Sequence, residues 1–332
     1  MIKVIDKYGK PRMINDFVGN NAEMLKKLGF ARVYQGHLAH TKHVIAKLGG
    51  FGPGSNGGLI NPGLIKQNGQ YVGLMRCDKN FEGYHQRKSK AVCIPYWVGY
   101  DAAFNLIAAQ PVILSNEYDG TLVEDFRVFT FRNEFYVAHS AWTEKGWQQW
   151  LSKLVDGKLQ LVQKFDSPEN REEKNWGFFV SHDKIYFIYS ISPWVIYSYN
   201  PQTGAAIKII SQPYAPWHIP GMVSVSSLPV AYNNGFLVFV HSKNGHLYLH
   251  TAMYFDGATL LPKFFIPASI INGDDGAYYI SSVIDDGHRL LLFGGEGEAL
   301  KGFATAYTSV RCVDKEAFNN ILFKNLNGLN NG

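Results

Sequence analysis

The chain has 332 residues, 46% hydrophobic and 14% aromatic, ample for a packed core, and its charged fraction of 18% argues against disorder. The net charge of +5 comes without a run of five or six basic residues, the densest patch being the short His85 to Lys90, so nucleic-acid binding is not expected. Three cysteines (Cys77, Cys93, Cys312), odd in number and without metal-ligand spacing, argue against both a disulfide scaffold and a metal site.

In chain order, MIKVIDKYGKPRMINDF lacks the apolar centre of a signal peptide, and nowhere do about 18 apolar residues run together. A soluble, cytoplasmic protein is the expectation. Residues 1–50 read as an N-terminal extension, where NDFVGNNAEMLKKLGF predicts a short helix capped by Asn20 or Asn21 and closed before Gly29. FGPGSNGG, residues 51–58, lacks the Gly-Lys-Ser/Thr of a phosphate loop and reads as a flexible lead into the first strand.

From 51 to 312 the pattern is one of short strands. QYVGLMRC (70–77), EFYVAHSA (134–141), KIYFIYSI (184–191), GFLVFVHS (235–242) and RLLLFGGE (289–296) are rich in β-branched or aromatic residues. Each follows a turn signal: QNG, FRN, SHD, YNNG or DDGH. After a first interval of roughly 60 residues the spacing settles at roughly 50, the period of propeller blades or solenoid units. Within a unit, a first strand with a polar or glycine-rich start precedes the aromatic strand, and a third strand carrying Tyr or Ala follows. Asp156-Gly157, between alternating runs, predicts a type I′ hairpin. Residues 313–332 read as a C-terminal helix and tail, with Asp314 as cap and Glu316 in the first turn. The fold class expected is all-β: a five-bladed β-propeller with short terminal helices.

In a propeller the first strand of each blade runs along the central channel, so the five strand starts converge at one mouth. They bring Asn61 with Pro62, then Glu124, Asp125 and Arg127, then Glu173, Lys174, Asn175 and Trp176, and finally Ser226-Ser227 and Ser281-Ser282. The ends of the strands that follow add Arg76, His139 with Trp142, Trp194, His241, and Glu296 or Glu298. Carboxylates, cations, amides and aromatic planes in one pocket suit sugars. Hydroxyls need paired donors and acceptors, the ring's apolar face needs a stacking plane, and the glycosidic oxygen needs an acid.

Several of these segments carry a resemblance. GTLVEDFRVF is similar to the Gly-x-Glu-Asp-Pro-Arg segment of the β-mannoside phosphorylase family of five-bladed propellers, glycoside hydrolase family 130, and its mannosyltransferase relatives. NPGLIKQNGQYVGLMRC resembles that family's Asn-Pro-Ser-Ile first-blade segment, ending on its arginine, here Arg76. EKNWGFFVSHDKIYFIYSISP is similar to the third-blade Glu-Lys-Asn-Trp segment, and the fourth and fifth units follow in order. The resemblance implies an enzyme that makes or breaks β-mannosidic bonds with inversion, as a phosphorylase or glycosyltransferase, with Asp125 as general acid/base. It implies substrate contacts from Asn61, Arg76, Glu124, Arg127, His139, Trp142, Glu173, Lys174, Asn175, His241 and Glu298. No cofactor or metal is implied, only an oligosaccharide or sugar-phosphate substrate, with phosphate or a nucleotide sugar as possible co-substrate.

The sequence departs from that pattern. The motif proline is Phe126, the fourth-blade Gly-Gly is Ser226-Ser227, and IYSISP carries no arginine where phosphorylases often have one. Arg76 and Lys174 are the two cations placed for a phosphate dianion. Two alternatives stand beside the main reading: an inverting hydrolase using Asp125 and Glu173 with water, and a carbohydrate-binding propeller without chemistry.

Overall fold

The computed structural model describes residues 3–5, 11–13, 31–37, 59–79, 92–167, 173–213, 223–244, 247–266, 272–273, 276–297 and 306–320. Its building unit is a strand, a tight turn and a returning strand. Asn68-Gly69, Arg132-Asn133 and His182-Asp183 each hold two successive positive φ angles (50° and 77°, 51° and 61°, 47° and 55°). That is the type I′ backbone, whose twist matches paired antiparallel strands. Asp156-Gly157 does the same at 49° and 72°, with Val155 opposite Lys158, as the sequence leads one to expect.

These hairpins build five antiparallel blades. From the channel outward, blade 1 runs Leu59–Gln67, Gln70–Lys79, Val92–Tyr100 and Leu106–Pro111. Blade 2 runs Val123–Phe131, Glu134–Thr143, Gly146–Val155 and Lys158–Lys164, with Ile113–Leu114 added in parallel at its outer edge. Blade 3 runs Gly177–Ser181, Lys184–Ser190, Trp194–Asn200 and Ala205–Gln212. Blade 4 has a split inner strand, Val223–Val225 and Val230–Tyr232, followed by Gly235–Asn244, Leu247–Asp256 and Pro262–Ile266. Blade 5 runs Gly276–Asp285, Arg289–Gly297 and Ala306–Asp314. Its outermost strand is Ala31–His37, paired with Ala306–Asp314. The N-terminal segment, expected to stand outside the propeller, thus supplies the strand that closes the ring.

Both faces of a blade pack against a neighbour, so alternate residues of one strand enter two different cores. Phe178 joins the cluster between blades 2 and 3, whereas Phe179 joins the one between blades 3 and 4. Leu290 and Leu292 face blade 4, while Leu291 and Phe293 face blade 1. This is why RLLLF reads as a continuous apolar run rather than an alternation. Phe126, in place of the motif proline, is fully buried between blades 1 and 2.

At the C-terminus, residues 315–320 form a helical turn, and Asp314 caps it by accepting the Ala317 N–H at 2.7 Å. Phe318 from this turn plugs the core between blades 4 and 5. The expected N-terminal helix falls outside the described residues, among which no helix is long and apolar enough to cross a membrane.

The inner strands of blades 1 and 2 approach closely at Gly63, where a Cβ would lie 2.0 Å from the Phe126 carbonyl oxygen and 2.8 Å from Arg127 Cα. Backbone cannot step aside as a flexible side chain can. Gly63→Ala is therefore expected to cost about 3 kcal/mol through overpacking. Gly99→Ala is the control, since its Cβ would meet Ile107 at an ordinary 3.5 Å. Thermal denaturation of the pair checks this, with a lowered Tm expected for the first alone.

Candidate active site

Three residues at one mouth of the channel hold left-handed backbone: Asn61 (φ 50°), Asp125 (φ 57°) and Asn175 (φ 66°). They belong to blades 1, 2 and 3, at or just before the start of each inner strand. Asn and Asp tolerate this region better than other side chains, which is what allows polar groups to be presented there. The pairing register shifts between Ile60 and Gly63 in blade 1, and opposite the Glu124–Arg127 stretch in blade 2. Such bulges re-aim side chains at a sheet's rim.

The re-aimed groups converge on Asp125. Asn61 Nδ2 donates to its Oδ1 at 3.1 Å, and Arg76 Nη1 reaches the same oxygen at 3.2 Å. Arg76 Nη1 also pairs with Glu124 Oε2 at 2.8 Å. Lys174 Nζ bridges the same two carboxylates from blade 3, at 2.5 Å to Glu124 Oε1 and 3.4 Å to Asp125 Oδ2. Three blades therefore meet in one interlocked cluster of two acids and two cations. Below it, Arg127 is buried and donates through Nη2 to Asn175 Oδ1 at 2.9 Å and to the Tyr279 hydroxyl at 2.6 Å.

The electrostatics follow from this packing. Burial by itself would raise Asp125, but Lys174, Arg76 and Arg127, with the Asn61 hydrogen bond, hold its carboxyl well below the usual range. Lys174 shows the converse: burial opposes its charge, yet Glu124 and Asp125 raise it well above an ordinary lysine. Asp125 is thus a carboxylate at neutral pH. A folded-state value below the unfolded one gives stability that is full above about pH 4 and is lost as pH falls toward the folded value. Chemical denaturation at decreasing pH should show the wild type losing stability more steeply than Asp125→Asn, by up to about 1.4 kcal/mol per pH unit.

The remaining candidates take varied places. Glu173 accepts the Tyr189 hydroxyl at 2.6 Å. Trp142 is 49% exposed, its ring edge-on to Trp147 at 5.3 Å, and Lys174 Nζ lies 4.7 Å over the Trp147 ring. An exposed aromatic wall therefore stands beside the acid pair. His139 is fully buried behind Phe126, its Nε2 within 2.8 Å of Ser152 Oγ, and burial pushes its imidazole down to about 3. His241 is buried with Nδ1 2.7 Å from Ser226 Oγ, and burial, with His250 and Arg127 nearby, holds it well below its ordinary value. Both are buried neutral imidazoles rather than groups that titrate near pH 7. Glu298 lies outside the described residues.

Sequence reasoning did not single out Tyr279, Tyr189 or Trp147, which touch Arg127, Glu173 and Lys174. Tyr189 and Trp147 lie beyond the strand starts, and Tyr279 lies two residues before the Ser281-Ser282 pair that marked blade 5. Among the described residues no group of three His, Cys, Asp or Glu side chains is arranged to hold a metal ion.

No protein-family model matches the chain, and no curated protein matches it in sequence. Solved structures do share its fold. A glycosyl hydrolase from Bacteroides ovatus superposes with a TM-score of 0.55 at 12% identity, over 76% of this chain and 83% of that one. An exo-β-1,3-galactanase from Phanerochaete chrysosporium, solved with β-1,3-galactotriose, gives 0.54 at 9% identity, over 75% of this chain and 59% of that one. A β-fructofuranosidase from Schwanniomyces occidentalis gives 0.54 at 11%, over 78% and 57%. At such identities the likeness is one of fold, and the architecture this chain shares with these proteins is the five-bladed β-propeller.

Proposed function

We propose that the chain is a carbohydrate-active enzyme that hydrolyses glycosidic bonds with inversion, Asp125 acting as the base toward water and Glu173 as the acid toward the leaving oxygen. The observation that carries this reading is the ionised Asp125, clamped at the mouth of a propeller whose solved neighbours are glycoside hydrolases. A carboxylate held well below the usual range is ionised at working pH, so it is poorly suited to donate a proton and can serve only as an acceptor, a weak base toward water. Inversion requires the two carboxyls far enough apart, about 6.5–9.5 Å, for water to enter between them and the sugar.

The resemblance to mannoside phosphorylases and mannosyltransferases suggests a different nucleophile or donor in the same pocket. Its requirement for cations is what weakens it here. Arg76 and Lys174 are each already bound to both Glu124 and Asp125, so a phosphate dianion would have to displace carboxylates to gain them.

The test is turnover of β-mannobioses and of aryl glycosides of several sugars, with and without phosphate, mannose 1-phosphate or GDP-mannose. Reducing sugar released without phosphate, as the inverted anomer by NMR, is expected. Product that appears only with phosphate or a donor sugar would replace hydrolysis with phosphorolysis or transfer. Sugar binding without turnover in any mixture would leave a binding propeller. Trp142→Ala should weaken sugar binding up to about tenfold, the worth of one stacked ring, as read by calorimetric titration.

A further inference from the structure

Lys174 reaches Asp125 from a different blade, so its hold on that carboxylate depends on how blade 3 is fixed against blade 2. Two hydrogen bonds join residues 173–176 to the third strand of blade 2, Gly146–Val155. The Glu173 N–H donates to the Trp147 carbonyl at 2.8 Å, and the Trp176 N–H donates to Gln149 Oε1 at 3.1 Å. Between these two pins stand Lys174, with its ammonium on Glu124 and Asp125, and Asn175, with its left-handed backbone and its side-chain oxygen on Arg127.

Gln149 is only 1% exposed. Besides accepting from Trp176, its amide donates through Nε2 to the His139 carbonyl at 2.8 Å and to the Trp150 carbonyl at 3.2 Å. His139 is the residue that the inner-strand register skips, lying between Ala138 opposite Arg127 and Ser140 opposite Glu124. One side chain therefore ties the bulge opposite Asp125 to the segment that carries Lys174. Losing it would leave the buried Trp176 N–H without that acceptor. The charged and titratable groups around Asp125 are Arg76 from blade 1, Glu124 and Arg127 on its own strand, Lys174 from blade 3, His241 from blade 4 and Tyr279 from blade 5. Burial raises Asp125, and among the cations that outweigh burial Lys174 acts most strongly.

We propose that Gln149 is a positioning residue of the site: by pinning residues 173–176 to blade 2, it sets how closely Lys174 is held against Asp125. This role rests on Asp125 being the base in the reaction proposed above. Gln149 itself touches no reacting atom, since it acts from the core through the backbone of Trp176.

Two variants of the full chain test it. Gln149→Leu removes the tie at similar volume, and Gln149→Asn, one methylene shorter, keeps the amide but cannot span His139 and Trp176 together. In both, the Trp176 amide should exchange with deuterium at least about tenfold faster than in the wild type, as read by NMR. With Lys174 drawn back, Asp125 takes up its proton at higher pH. The acid limb of kcat should therefore move up by about one pH unit in Gln149→Leu and by less in Gln149→Asn. Ile185→Val loosens the core between blades 2 and 3 without removing a hydrogen bond, so it should lower Tm and leave the limb in place. Absence of turnover on every glycoside tells against the hydrolase alone, and the same change is then read from stability against pH. A less depressed Asp125 surrenders less stability on acidification, so both variants should fall away less steeply than the wild type. The Asn variant decides the matter if the Leu variant does not fold. A folded variant with a freed Trp176 amide but the wild-type limb, or the wild-type slope where nothing is turned over, overturns the proposal. So does a limb that moves as far in Ile185→Val.

Discussion

Asp125→Asn should lower turnover on any glycoside the protein cleaves by about 10³-fold, with little change in KM. The substitution keeps the shape of the side chain, so Asn61 and Arg76 still have an amide oxygen to bind. It removes the negative charge that accepts a proton from the attacking water. The fold should survive, because Arg76 and Lys174 both retain Glu124 as an ion-pair partner. The loss should thus appear in kcat of a folded protein, with Tm lowered by the stability that ionised Asp125 supplies at neutral pH. Glu124→Gln is the informative companion. If Glu124 serves to hold Arg76 and Lys174 in place, its loss should cost less in kcat than the loss of Asp125, and should disturb stability more. Asp125→Asn retaining more than about a tenth of wild-type activity would remove Asp125 from the chemistry and turn attention to Glu173.

Much of this architecture could be read from the chain because each blade announces itself locally. Asn68-Gly69 and Asp156-Gly157 dictate their turns whatever surrounds them, and the aromatic strands follow at a near-constant interval. The grouping of Asn61, Arg76, Glu124, Asp125, Lys174 and Asn175 also followed, since strand starts in a propeller must meet. What could not be read depends on contacts across the ring. Ala31–His37 carries no signal that it belongs beside Ala306–Asp314, because closure is decided by an open edge nearly 300 residues away. The division of labour among the arginines was equally hidden. Arg76 and Arg127 look alike in sequence, yet one is clamped by carboxylates and the other rests on an amide and a phenol. His139 illustrates a third limit. It lies where the pairing of the first two strands of blade 2 shifts register, and it ends up in the blade core, its ring tilted against that of Phe126.

Phe126 bears the largest expected effect on stability. In sequence it departs from the Glu-Asp-Pro-Arg pattern of the β-mannoside phosphorylases that the segment resembles, and so reads as a mark against a working site. In the structure it fills the core between blades 1 and 2 together with Leu74, Val123, Val137 and Trp150, its ring 5.7 Å from that of His139. Phe126→Ala should therefore destabilise the chain by about 3–5 kcal/mol, the cost of removing a fully buried ring that its surroundings cannot refill. Phe126→Leu, which keeps most of the volume, should cost clearly less. Placing the proline of the phosphorylase motif there with Phe126→Pro should not stabilise the chain, because proline leaves the same cavity. Equilibrium denaturation reads these differences as midpoint shifts at constant slope. The consequence reaches the site as well. Phe126 lies between Asp125 and Arg127 on one strand, and its carbonyl lies against Gly63, two residues after Asn61. Loosening it should let the acid and its Asn61 partner drift apart, so Phe126→Ala at a temperature where it is still folded should also show reduced kcat. A Pro variant as stable as the wild type would mean that the ring is not what joins blades 1 and 2, and that the departure from the motif carries no structural weight.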